Sequence, residues 1–216
     1  MPLAAKPQLP TYLAPLDDLA GALAEDESLS GFSANDQDLS SIHCLAASMS
    51  EAKLSKITLA GADLEKLDLS DVVIERCDLT ATNCSESSWR RVSLSNTRCS
   101  GVKLHNSNLK DITFQDCMLK LANFRFAKLK NITFIDCTFD EADFYQTELE
   151  NVRFQRCTFY KTEFSGAHCR KTDFRGSDIL GIAGITGLAG ATIDSVQLTG
   201  IAPMLAQTFK IQVSDD

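Results

Sequence analysis

Eight cysteines and three histidines are the residues of this 216-residue chain best suited to metal binding or nucleophilic chemistry. A zinc site needs ligands that converge tetrahedrally, and a redox pair is commonly marked by C-x-x-C. No cysteine here stands in such a pair. Cys77, Cys117, Cys137 and Cys157 instead share one column at multiples of twenty residues, with Thr97 completing it. A straight column of thiols does not converge on a metal, so small buried thiols are the plainer reading. His43, His105 and His168 are well separated, and no Ser/His/Asp set, P-loop or Gly-rich dinucleotide motif accompanies them. We expect a protein that is not an enzyme and needs no metal or cofactor.

The element that must position these residues is a repeat of five. Between Asn131 and Arg170, Phe134, Phe139, Phe144, Leu149, Phe154, Phe159 and Phe164 recur at every fifth position. Two residues before each stands a small or β-branched side chain, such as Ile132, Cys137, Ala142 or Thr147. Neither a helix nor a flat strand places a residue every five on one side. A chain that turns a corner every five residues does. Every residue at this spacing from Leu54 to Ile179 is hydrophobic, in a sequence that is 44% hydrophobic overall. Chance gives such a run odds on the order of one in a billion.

A longer period of twenty makes four sides into one coil. Val72, Val92, Ile112, Ile132 and Val152 form a β-branched column. Phe114, Phe134, Phe154 and Phe174 form another, and Leu69, Leu109, Leu129 and Leu149 a third, interrupted by Trp89. One coil cannot bury its apolar side alone, so coils must stack. At about 4.8 Å per coil, residues 31–180 predict a rod roughly 36 Å long.

These motifs resemble the pentapeptide-repeat family, whose consensus is A(D/N)LXX. Ala62-Asp63-Leu64, Ala122-Asn123-Phe124 and Ala142-Asp143-Phe144 are good matches. The resemblance implies an all-β solenoid, a right-handed quadrilateral β-helix of about 7–8 coils with short helical caps. Its central Leu or Phe and the small residue two before it both point inward. Residues 1–28 then form a lead and capping helix, 29–180 the β-helix, and 181–216 a loop with short helices. Asp63 and Asp143 belong to the consensus as surface and corner residues. The fold hosts many roles. Some members of the family bind DNA gyrase or topoisomerase IV, resemble duplex DNA in shape and charge, and confer quinolone resistance or inhibit the enzyme. In such relatives the C-terminal region forms a symmetric dimer, which the resemblance suggests here.

Charge weakens the DNA-mimic reading. A duplex of that length carries roughly 21 negative charges. The chain as a whole has a net charge of −8, most of it in the end segments, and the repeats are close to balanced. Opposite charges align twenty residues apart: Asp136 with Arg156, Glu141 with Lys161, and Glu150 with both Lys130 and Arg170. Such pairs favour correct register, at about 0.2–1 kcal/mol each. Arg90, Lys110, Lys130 and Arg170 form a basic ridge broken by Glu150, but the overall balance argues against direct nucleic-acid binding.

Leu121, Phe126, Ile135, Tyr145 and Tyr160 are apolar residues at outward positions in three consecutive coils. A partner contact would centre on Phe126 and Tyr145, with Asp140 and Glu141 nearby. At the N-terminus, four prolines precede Leu16, Leu19, Ala20 and Leu23, whose spacing predicts a short helix covering the first coil. Gln37 and Ala34 weaken the inner columns of the coil at 31–50. At the other end, glycines 181, 184, 187 and 190 predict a loop folded across the last coil. Asp194 or Thr192 then caps a helix, and Pro203 predicts two short helices. Val196, Ile201, Met204, Leu205 and Phe209 supply the apolar face that closes the rod.

The leading expectation is a rigid interaction scaffold for an unidentified protein, through Leu121, Phe126, Tyr145, Tyr160, Asp140 and Glu141. The alternative is a modulator of DNA gyrase or topoisomerase IV that competes with DNA. A homodimer would use Ile201, Met204, Leu205 and Phe209. The segment MPLAAKPQLP lacks the basic-then-apolar order of a signal peptide, and no run of 18 apolar residues follows. A cytoplasmic protein without membrane contact is expected.

Overall fold

The computed structural model describes residues 4–25 and 28–214. Its organising feature is the corner. Every fifth residue from Gly31 to Gly176 has a positive φ, between 50° and 76°. A single left-handed residue turns the chain and lets the next short extended side begin. Most corners are not glycine, although the left-handed region costs an L-residue roughly 1–2 kcal/mol. Stacking offsets that cost, because corner amides along the rod find a carbonyl on the next coil: Leu121 N donates to Asp140 O at 2.8 Å and Asp136 N to Gln155 O at 2.9 Å.

The N-terminal elements are β1 (Ala14–Pro15), α1 (Leu19–Glu25), β2 (Ser28–Ser30) and β3 (Phe32–Asn35). Five strands follow, each bent around one corner: β4 (Ser48–Ser55), β5 (Asp68–Glu75), β6 (Ser88–Ser95), β7 (Asn108–Gln115) and β8 (Lys128–Ile135). The later rungs are β9 (Glu148–Glu150), β10 (Arg153–Gln155), β11 (Thr158–Glu163), β12 (His168–Arg170), β13 (Thr172–Asp173), β14 (Asp178–Ala183) and β15 (Ala191–Thr192). All pairing is parallel, and from β4 to β8 each residue faces the one twenty positions on. The result is a four-sided parallel β-solenoid of about 9 turns, longer than the 7–8 coils expected. The extra length comes from both ends, where β1 pairs with β3 and β13 with β15 at shortened registers.

The core is a set of vertical stacks. Phe114, Phe134, Phe154 and Phe174 stack at centroid distances of 4.9, 5.0 and 4.7 Å. Phe124, Phe144 and Phe164 make a second stack with both spacings 4.8 Å, and Phe139 lies 5.1 Å from Phe159 in a third. Neighbouring stacks meet edge-on, as Phe134 meets Phe139 at 82°. Both arrangements suit the ring quadrupole.

The two ends depart from the expectation in instructive ways. At the N-terminus, Leu19 and Leu23 of α1 are buried, as a cap requires. Gln37 proves to be part of that cap. Its Oε1 accepts from Leu19 N at 2.8 Å and its Nε2 donates to Leu16 O at 2.6 Å. At the C-terminus the glycine-rich segment continues the solenoid as β14, a 3₁₀ turn (Ile185–Leu188) and β15. Gly187 is needed because a Cβ there would collide with the Phe164 carbonyl. Pro203 does not split the last helix: α2 runs unbroken over Ser195–Thr208. Asp194 caps it in a reciprocal box with Gln197. Gln197 also donates to Phe174 O and Ser177 O, both at 2.7 Å, and Ile201 is buried. Val196 is 80% exposed, so it is not part of the closing face.

Candidate functional site

Three inward cysteines share in the coil-to-coil hydrogen bonding. Inward hydroxyls donate to the carbonyl 23 residues earlier: Thr82 to Leu59, Thr147 to Phe124 and Ser177 to Phe154. Cys77, Cys137 and Cys157 do the same toward Leu54, Phe114 and Phe134, at 3.6–3.7 Å. Thr97, in the cysteine column, donates instead to the Ser95 carbonyl two residues earlier at 2.9 Å, as Cys117 does to Gln115 at 3.3 Å. Burial pushes the Cys84 thiol up to about 12 and raises Cys77 as well, which disfavours the thiolate. Among the described residues no cluster of three or more His, Cys, Asp or Glu is placed to hold a metal. His43 Nδ1 lies 3.8 Å from Asp63 Oδ2, at an exposed position.

Much of the surface charge is paired along the rod. Arg156 grips Asp136 at 2.7 and 2.6 Å, and Glu150 bridges Lys130 at 3.1 Å and Arg170 at 2.5 Å. The basic ridge is therefore partly neutralised by the acid that interrupts it. Glu141 and Lys161 do not pair. Lys161 Nζ sits 5.2 Å above the Tyr160 ring instead. One ladder was not foreseen. Asn151 donates to Asn131 at 2.8 Å and Asn131 to Asp111 at 2.9 Å, while Arg91 holds Asp71 in a two-toothed clasp in the same corner column. The twenty-residue spacing of 71, 91, 111, 131 and 151 carried the signal.

Two of the outward apolar residues meet. Phe126 and Tyr145 meet edge-on at 5.7 Å. The Arg125 guanidinium covers Tyr145 at 4.3 Å and approaches Phe126 at 5.5 Å. Asp143 fixes that arginine through a 2.8 Å ion pair. Leu121 stands at the other corner of the same side of the coil. Its backbone bonds to Asp140, and Glu141 bonds to Tyr160, so these residues sit on three successive rungs. Tyr160 and Asp140 belong to the adjoining side. Leu121 is 54% exposed, Phe126 45% and Tyr160 55%, whereas Tyr145 and Ile135 are half-buried. Among the described residues, Asp140 and Glu141 have no ion-pair partner. Among the described non-glycine corners of the coils, Leu121 and Phe126 are the two large apolar residues. Elsewhere the corner is charged, amide, Ser or Ala.

Of the four residues assigned to a dimer contact, Ile201 is buried within its own chain and Met204 and Leu205 pack partly against the core. Phe209 is exposed. None of the helices among the described residues is long and apolar enough to cross a membrane.

A family model described as "Pentapeptide repeat region" matches residues 67–144 and 114–183, and one described as "Pentapeptide repeats (8 copies)" matches 47–83. The chain belongs to the pentapeptide-repeat family. Among solved structures it is similar to full-length QnrB1, described as a plasmid-mediated fluoroquinolone resistance protein, at 15% identity and a TM-score of 0.42. That match covers 80% of this chain and 99% of the other. HetL from the cyanobacterium Nostoc sp. strain PCC 7120, described as involved in heterocyst differentiation regulation, matches at 15% identity and a TM-score of 0.27. Coverage there is 73% of this chain and 84% of HetL. Rfr23 from the cyanobacterium Cyanothece 51142 matches at 16% identity and a TM-score of 0.27, over 56% and 96%. No curated protein matches the chain.

Proposed function

We propose that this pentapeptide-repeat protein is a non-enzymatic, cytoplasmic scaffold that binds a partner protein through the surface around Leu121, Phe126 and Tyr145. Tyr160, Asp140 and Glu141 extend that surface. One observation carries the reading: bulky apolar side chains occupy two consecutive left-handed corners and project into solvent. Asparagine tolerates a left-handed corner at lower cost than leucine or phenylalanine, so the corner itself does not require either side chain. Exposed apolar area at corners that elsewhere carry charged, amide or small residues is the mark of a site kept for contact. Aromatic and arginine side chains, as in Phe126, Tyr145 and Arg125, are the types that anchor protein interfaces. A photo-crosslinking residue at position 145 in source cells should trap a partner, and L121N/F126N should abolish the product. The same product from the double variant would sink the proposal.

A second reading, modulation of DNA gyrase or topoisomerase IV, is favoured by the unpaired carboxylates of Asp140 and Glu141 beside the apolar surface. Extensive charge pairing elsewhere weighs against a uniform DNA mimic. A supercoiling assay with and without a fluoroquinolone decides it: inhibition or protection at micromolar protein supports the reading, and no effect on the source organism's gyrase removes it. Under either reading we propose a homodimer through the C-terminal region, with Phe209 as its exposed contact.

A further inference from the structure

We infer that the stacked thiols of Cys117, Cys137 and Cys157 form a binding site for a soft, two-coordinate d10 metal ion, with the mercuric ion as the best fit. The ion sits between two successive thiols of the column and is held in a straight line by both sulfurs. The three residues occupy one inward slot on three consecutive rungs, in a column that continues through Thr97 to Cys77 on one side and to Ser177 on the other. The Cys137 side chain contacts both Cys117 and Cys157. Among the described residues no three such groups converge, so a tetrahedral zinc site is ruled out. A column can still hold an ion in line. A metal–thiolate bond is about 2.3 Å long, so a linear bridge spans about 4.6 Å. Stacked rungs stand about 4.8 Å apart, which matches that span. Mercuric, silver and cuprous ions accept two thiolates in this way, and soft sulfur ligands select them.

The slot itself does not require sulfur. Ser177, in the same column, donates to the Phe154 carbonyl at 3.1 Å, whereas Cys137 and Cys157 reach their carbonyls at 3.6 Å. A hydroxyl is the stronger donor, so hydrogen bonding alone does not call for three thiols in succession. Burial then selects among the soft ions. All three cysteines are buried. A silver or cuprous bis-thiolate carries a net negative charge, which an apolar core opposes. The mercuric complex is neutral. Two S–H bonds break, two S–Hg bonds form and two protons leave to solvent, with no change of oxidation state.

The column also has a mouth. Thr97, Arg98, Asp116, Cys117, Met118 and Asp136 line a surface depression over it. Arg98 is engaged by Asp78 at 2.7 Å, and Asp136 by Arg156. The Asp116 carboxylate draws cations toward the opening. Met118, 47% exposed, adds a soft thioether beside Cys117. Cys77 provides an internal control. Thr97 on one adjoining rung and Ile57 on the other leave it without a thiol neighbour in the column. Cys99 adjoins Cys117 from the next inward position of the same side, outside the column.

Loading the reduced full chain with mercuric chloride, then passing it through gel filtration in a competing monothiol, tests this. Every protein carries C44S/C169S, which removes the two half-buried thiols. The parent should retain a single ion, with two sulfur neighbours by X-ray absorption and a raised thermal midpoint. C137S breaks the run, and it should retain roughly ten-fold less or lower still, a loss that even an outer-shell change can cause at a metal site. C117S/C157S should lose the ion equally and guards against a folding defect in C137S, while metal-free melts check each variant. C117S and C157S singly leave one stacked pair and should bind as the parent does, as should C77S. A parent that retains no ion, full retention by C137S or C117S/C157S, equal loss in C77S, or a shell of three or four sulfurs overturns the proposal.

Discussion

The Phe134 ring lies parallel to the Phe154 ring one coil away, 5.0 Å between centroids and 5° out of plane. Phe134 also stacks on Phe114 and meets Phe124 and Phe139 edge-on, and it is fully buried. Phe134→Ala should destabilise by about 3–5 kcal/mol, because a rigid stack cannot collapse into the space left behind. Urea unfolding followed by circular dichroism measures it. A curve overlaying the wild type would contradict the packing described.

Leu121 and Phe126 should behave in the opposite way. Asparagine tolerates the left-handed corner, so Leu121→Asn should leave stability unchanged or raise it by up to about 1 kcal/mol. At Phe126 the relief is offset by the lost edge contact with Tyr145, about 0.5–1.5 kcal/mol, so the net change should be near zero. Both variants should lose the partner. Thermal melts alongside the crosslinking assay separate the two effects, and a large destabilisation would mean these side chains are structural.

Acid should weaken the protein partly through Asp71. Hydrogen bonds from Arg91 hold its carboxyl below the usual carboxylate range, and Gln8 N adds a 2.9 Å bond. A depressed native pKa stabilises the fold above the unfolded value, about 3.9, and that stability is lost as pH falls through the native value. Arg91→Ala should cost about 1–3 kcal/mol at neutral pH and flatten the acid limb of the stability curve. Equal losses at pH 7 and pH 3 would show that the pair does not act through ionisation.

Gln37→Leu would restore the hydrophobic repeat pattern yet should destabilise. The Leu19 amide and the Leu16 carbonyl would lose their shared partner, at about 1–3 kcal/mol. Hydrogen exchange at Leu19 to Glu25 should speed up before that of the central coils. Slower exchange there would show that the pattern matters more than the clasp.

The coil itself was legible from residue spacing. A corner every five residues and a rung every twenty leave one inward slot pattern, so Phe134, Ile132 and Cys137 could be assigned by counting. The pairs Asp136–Arg156 and Lys130–Glu150–Arg170 were legible for the same reason, since parallel in-register stacking turns sequence offset into distance. The ends were not. Gln37 looked like a defect because its role depends on where α1 sits, and Pro203 suggested a break that tertiary contacts override. The glycines near 187 predicted a loop folded across the last coil, but they continue the solenoid, and Gly187 serves a close backbone approach to Phe164. Phe126 and Tyr145 were each visible as outward apolar residues, but their contact through Arg125 required side-chain directions at a corner. Within the rod, periodicity determines position because every coil repeats the same local geometry. At its ends and on its surface that repetition stops, and packing between segments distant in sequence decides the outcome.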